Sequence, residues 1–391
     1  MAERPKAAVL KTAIPKGIVG SNPTPSAILV DPGTRPRFST EDAMKRLALP
    51  VAAFLFLVSA DSLARDPAWW GLGAVAASPD GATVVAGGQS RTLYVLDGRT
   101  LDVTRRIWVE ARVGELCFNK DGSRLVVEDE TETLYYYDTQ SWDVVKKVEK
   151  AGYMNCVPAA DLLAAYRWDG ERKIVFLSMT DGSEKGEAVL PDRIRAFGLD
   201  AGAKRLAALT DGPDDKEKKI PYNEIPEELE GIDKDTFRQK NDGRMSVYTV
   251  FEVPSGKRLS GAETWFSTSW EKSELILGEE KAWVLNYDNK NAVILPSGET
   301  TLFRSGNSFN YGIGVSPDRK RFLTGGLRDG SLGDVDSLET TPFEIERMRG
   351  WPEYFARFSF QADGTGWGVT SNFRLVKISK EGKVEKVVPV Y

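Results

Sequence analysis

From about residue 70 onward the chain alternates short apolar runs with turn residues, and the alternation repeats. In the first unit the runs are Ala74 to Ala77, Thr83 to Ala86, Thr92 to Leu96 and Val103 to Ile107. The second unit has Glu115 to Phe118, Arg124 to Val127, Thr133 to Tyr137 and Val144 to Val148. Runs this short, rich in Val, Leu, Tyr and Thr and bounded by Asp-Gly turns, predict strands. A turn between the first and second runs recurs at Asp80-Gly81, Asp121-Gly122, Ala160-Asp161, Asp200-Ala201-Gly202, Glu271-Lys272, Pro317-Asp318 and Asp363-Gly364. A second series closes the third run, at Asp97-Gly98, Asp138-Thr139, Ser178, Val253-Pro254, Leu295-Pro296, Asp336-Ser337 and Ser379-Lys380. Both series step by about forty residues with one stretched interval in the fourth unit, so they agree on seven units. In the fifth unit the second strand is either Leu275 to Leu277 or a run continuing through Trp283 to Asn286.

Four-stranded sheets repeated at this period predict blades, each with two apolar faces that only its neighbours can cover. The expected fold is all-β: a single seven-bladed β-propeller of four-stranded antiparallel blades over residues 65–391. With Ser78-Pro79-Asp80-Gly81 before Leu93-Tyr94-Val95-Leu96-Asp97, and Leu134-Tyr135-Tyr136-Tyr137-Asp138 before Val144 to Val148, the chain resembles the WD-repeat and YVTN-like propellers over about residues 70–391. It lacks the Gly-His dipeptide of classical WD repeats, and neither Trp142-Asp143 nor Trp168-Asp169 sits at the Trp-Asp position. The divergent bacterial type is the better match. That resemblance implies a fold and not an activity. The last unit carries its own fourth strand, Val384 to Val390, so ring closure is expected to rest on side-chain packing.

Residues 1–43 are proline-rich without a sustained apolar period, and disorder is expected there. Met44-Lys45-Arg46, the apolar run Leu47 to Val58 and the small-residue end at Ala64 together read as a secretory signal peptide. The alternatives are a buried helix or a membrane anchor, but the run falls short of the roughly 20 apolar residues a bilayer requires. Its internal position suggests Met44 as the true start, with residues 1–43 upstream of it. The expected product is periplasmic or secreted, with no membrane span.

Composition narrows the chemistry. The chain contains no histidine, which excludes His-dependent triads, imidazole bases and His-ligated metal sites. Its net charge of −5 argues against nucleic acid as a partner. No Gly-x-Ser-x-Gly elbow, calcium loop or Cys-x-x-Cys occurs, and no cofactor, metal or catalytic residue is assigned. The acidic loop Glu128, Asp129, Glu130 and Glu132 reads as a solvated loop, or else as a weak cation site.

Two features offer binding chemistry. The interruption in unit four, about residues 212–243, alternates acidic and basic residues and then predicts one or two short helices within Glu227 to Asn241. It is either a solvated insertion or a lid or docking arm, with Tyr222, Ile225, Leu229 and Phe237 as its docking residues. The blade entries carry Trp70, Arg112, Tyr153, Arg195, Trp265, Tyr311, Trp351 and Tyr354, which a propeller brings to one mouth of its channel. There they either hold a ligand by stacking and anion contacts or cap the packing between blades. Cys117 and Cys156, on first strands of neighbouring units, form either a disulfide or two buried thiols.

The function expected from these features is an exported non-catalytic scaffold, binding a protein partner or small ligand on the insertion-bearing face. An exported hydrolase or lactonase using carboxylates with a divalent metal is the alternative, and an accessory subunit of an envelope complex is a third.

Overall fold

The computed structural model describes residues 71–390 except 215–218, 221–223, 269–272, 308, 347 and 349–351. The expected signal segment, Trp70, Tyr222 and Trp351 lie outside the described residues. The strands form seven four-stranded antiparallel sheets, each built from four consecutive segments. The blades span residues 72–108, 113–148, 151–189, 194–264, 274–303, 312–344 and 355–389. Their first strands lie against one another in sequence order, and the last returns to the first, closing a ring. The structure is a seven-bladed β-propeller.

The turns that set the period are held by their own side chains. In blade 1, Ser78 Oγ donates to Asp80 Oδ1 at 2.6 Å, and Asp80 accepts the Ala82 N–H at 3.0 Å. Ser316 and Asp318 repeat the first contact at 2.6 Å in blade 6. After the third strand Asp97, Asp138 and Asp334 each accept two backbone N–H groups of the following turn. These short side chains mimic a backbone turn. The chain then passes through a left-handed residue, Leu101, Trp142 or Leu338, before the fourth strand begins.

The apolar core is distributed between the blades. Seven clusters of buried side chains are present, one at each junction of neighbouring blades. No single blade buries a core alone, which is the physical reason that the array must close. At the final junction Trp367, Val369, Leu375 and Val390 pack on Leu72, Val75, Tyr94 and Leu101. The fourth strand of blade 7, Val384–Pro389, pairs only within its own blade, so closure rests on side-chain packing. One hydrogen bond from Lys386 Nζ to Thr100 O, at 2.7 Å, crosses the same seam.

Blade 5 departs from the sequence reading. The turn expected at Glu271-Lys272 lies instead at residues 278–281, between the first strand Glu274–Leu277 and the second strand Ala282–Leu285. Leu275 to Leu277 therefore belongs to the first strand. Trp265 and Phe266 imitate an opening strand in the sequence, yet Phe266 is buried in the junction between blades 4 and 5 without sheet pairing. Its N–H donates to Thr264 Oγ1 at 3.2 Å as the chain leaves blade 4. Trp265 thus follows a fourth strand, but still on the connection between blades.

Candidate functional site

Among the described residues, the insertion between the second and third strands of blade 4 carries the α-helix Gly231–Lys240, here α1. Glu230 is extended before it, and Asn241 closes it by donating its side-chain amide to Phe237 O at 2.8 Å. α1 has no fully buried residue and docks at its edges. Ile232 packs on the cluster between blades 4 and 5 beside Trp265. Lys240 Nζ lies 5.2 Å from the centroid of the Trp265 ring, within cation–π range. Asp235 forms an ion pair with Arg304, at the end of blade 5. The insertion is therefore fastened to its own propeller at three points.

Of the docking residues read from the sequence, Ile225 and Phe237 line a cleft inside the insertion and Leu229 is half-buried. Ile232 was missed, because in a helix of low hydrophobicity no apolar stripe singles it out. A second cleft, of about 330 Å³, separates α1 from blades 4 and 5. Arg195, paired with Asp211, forms part of its wall. Arg238, Arg244 and Lys290 face Asp235, Asp242 and Asp288 in the same cleft, so its charge is mixed.

Beside this cleft runs an aromatic path. Tyr287 stands 5.0 Å from Tyr311 and 5.9 Å from Phe309, and Tyr311 meets Tyr354 edge-on at 4.8 Å. Burial and the neighbouring Tyr311 hydroxyl push the Tyr287 phenol well above its ordinary value, so it stays protonated. Phe309 is 41% exposed and Leu327, which lines the adjoining hollow, is 46% exposed. A buried amide network fixes the loops beneath. Asn310 Nδ2 donates to Asn286 O at 2.9 Å, Ser305 N–H to Asn289 Oδ1 at 2.8 Å, and Asn307 Nδ2 to Thr324 Oγ1 at 2.8 Å. With those loops pinned, the rings present a pre-set surface rather than one that must be ordered on binding.

Two further described entry residues have partners of their own. Arg112 pairs with Glu130 at 3.3 Å, and Tyr153 packs partly into the junction of blades 3 and 4. The acidic loop is absorbed in the same way. Glu128 accepts the N–H groups of Tyr153 and Met154 at 2.8 and 2.9 Å, and Asp129 caps its own turn through Thr131. Among the described residues no three Asp, Glu or Cys side chains stand grouped as a metal site requires.

Inside the channel, sequence reading missed a charged triad. Arg357 of blade 7 bridges Glu115 of blade 2 and Glu274 of blade 5, the latter at 2.6 Å. The available signal was a charge within an apolar first strand, Glu115 between Val113 and Leu116 and Arg357 between Phe355 and Phe358. Burial raises the Glu115 carboxyl to about 8 and that of Glu128 to about 7. Cys117 and Cys156 are free thiols on the same inner wall, and burial drives the Cys156 thiol well above its ordinary value. A thiol held protonated is a poor nucleophile.

A raised carboxyl pKa fixes the sign of a pH effect. Between the unfolded value near 4.5 and the folded values, the native state holds protons that the unfolded chain has lost. Stability therefore falls as pH rises from about 5 to 9, and with no histidine in the chain few other groups titrate there. The thermal midpoint is expected to be several degrees lower at pH 9 than at pH 5, and E115Q with E128Q to flatten that slope. Calorimetry across the range measures both.

No family model matches the chain, and no curated sequence relative was found. Among solved structures, the chain is similar to the Cps50 (Swd1) β-propeller domain of Myceliophteria thermophila, with 12% identity and a TM-score of 0.51. The match covers 77% of this chain and 93% of that domain. At this identity the likeness establishes the fold alone: a WD-repeat-like seven-bladed β-propeller.

Proposed function

We propose that this chain is an exported, non-catalytic propeller of the divergent bacterial type, and that it binds a protein partner through the insertion-bearing face. One observation carries the reading. α1, its mixed-charge cleft and the path Tyr287–Tyr311–Tyr354 lie side by side on one face, pinned from beneath by buried amides. Aromatic rings with exposed apolar neighbours and a polar rim are the composition of protein-recognition surfaces. The mixed charge favours a partner of balanced charge over nucleic acid. Among the described residues no helix is long and apolar enough to cross a membrane. The carboxylate hydrolase alternative gains no support from the grouping of acidic residues described above.

Export follows from the segment Met44 to Ala64, which matches a secretory signal in charge, length and small-residue end. Terminal sequencing of the mature protein tests it: a chain starting at Arg65, or at Asp61 after Val58-Ser59-Ala60, is expected, and one starting at Ala2 contradicts export. For binding, Y311A and Y354A are expected to reduce partner capture by roughly tenfold while thermal stability changes little, since both rings are only half-buried. Unchanged capture by both variants would remove the aromatic path from the interface.

A further inference from the structure

The face opposite the insertion holds a second feature. Where the first strands end, the channel widens into a cavity of about 320 Å³ whose exposed rim is formed by turn residues such as Lys120, Ala159 and Pro317. Its wall is mainly apolar, with Phe118, Val157 and Phe360 among its members. Arg319 enters it from the turn between the first and second strands of blade 6, at a left-handed residue with φ of 60°. Its Nη2 crosses to blade 3 and donates to Asn155 Oδ1 and Cys156 O, both at 3.0 Å. Asn155 Oδ1 is itself fixed by the Leu199 N–H at 3.1 Å. The Arg319 Nε–H is buried and has no acceptor, and no ion pair involving Arg319 is present among the described residues.

A guanidinium offers five N–H donors and cannot shed its charge, so a buried unsatisfied donor beside an open cavity is unfavourable until an acceptor arrives. The deeper Arg357 does not share this position, because Glu115 and Glu274 already hold it. Set against Glu115 and Glu274, the charges of Arg357, Arg319 and Lys120 leave the cavity lining with one net positive charge. One surplus charge against an apolar wall suits a single negative charge on an apolar body better than a dianion. The volume is that of a small-molecule pocket.

We propose that the turn-side mouth of the channel binds a small organic monoanion, a carboxylate on an apolar body, through Arg319. The carboxylate oxygens accept from the Arg319 guanidinium, while the body lies against Phe118 and Phe360. The carboxylate is supplied either by a free organic acid or by the C-terminus of a peptide ending in an apolar residue. Neither source depends on the role of the insertion on the other face.

Titration calorimetry on the full chain tests the site with phenylacetate, with the peptide Gly-Gly-Phe in free-acid and amidated forms, and with the neutral analogue 2-phenylethanol. Saturable binding of phenylacetate or of the free-acid peptide is expected, with the amide and the alcohol at least roughly tenfold weaker. Which of the two acids binds identifies the source. R319Q is expected to weaken binding by roughly tenfold or more. A159W, at an exposed rim position, is expected to block the cavity without lowering the thermal midpoint, and it decides the matter if R319Q fails to fold. Absence of saturable binding by either acid, or undiminished binding in folded R319Q or in A159W, would overturn the proposal.

Discussion

Replacing Arg357 by methionine is expected to destabilise the propeller by about 3–5 kcal/mol, the scale for removing one partner of a buried ion pair. The guanidinium bridges Glu115 and Glu274 in the channel. Without it two carboxyls confront one another with no cation between them, a repulsion that grows as they ionise. The loss should therefore be modest at pH 5 and full at pH 9. Denaturant melts of wild type and R357M at the two pH values measure this difference. The triple variant E115Q/E274Q/R357M removes the charges together and should recover most of the stability, because a neutral channel has no unpaired ion to solvate. If R357M melts like wild type at pH 9, the triad contributes nothing to the closed ring.

Trp367→Ala should cost a similar amount, about 3–5 kcal/mol, by opening a cavity at the seam where the ring closes. Trp367 is fully buried and lies in the cluster shared by blades 7 and 1. No strand is exchanged across that seam, so packing volume must do what hydrogen-bonded pairing does not. The opposite face of the same strand leaves no room to compensate: a Cβ at Gly368 would meet Phe358 at 2.7 Å, and one at Gly366 would meet Leu323 at 2.7 Å. Trp108, 69% exposed at the end of blade 1, is the matched control, and its truncation should stay within about 0.5 kcal/mol. Urea titration at unchanged slope distinguishes the two. Equal midpoints for W367A and W108A would mean that the seam does not hold the ring.

The fold was open to reading because its period is written in turn chemistry. Asp80, Asp121, Asp97 and Asp138 bond to backbone N–H groups close to them in sequence, so their signal survives without knowledge of the tertiary structure. Blade 5 misled because its opening strand has only four residues, and Trp265 and Phe266 supply a stronger apolar run nearby. Burial of Phe266 between blades is a tertiary fact with no local mark. The site was only partly readable for the same reason. Tyr311 and Tyr354 were identifiable as entry aromatics, but Tyr287 joins them from a loop inside blade 5, and the amides beneath look like ordinary loop composition. The channel triad draws Glu115, Glu274 and Arg357 from three blades, so its partners are 83 to 242 residues apart. Spacing along a chain cannot show a contact made across a ring.

The central functional claim is that the insertion-bearing face makes the binding surface. Its most direct test is removal of residues 214–241 with a short Gly-Ser linker joining the flanking strands, followed by quantitative capture from native extracts against the full chain. Thermal melting verifies that the seven blades remain closed. The expected result is a folded propeller with a somewhat lower midpoint, since Ile232, Lys240 and Asp235 no longer dock, and loss of the partners that the full chain enriches. Recovery of the same partners in the same amounts by the folded deletion variant would contradict the claim.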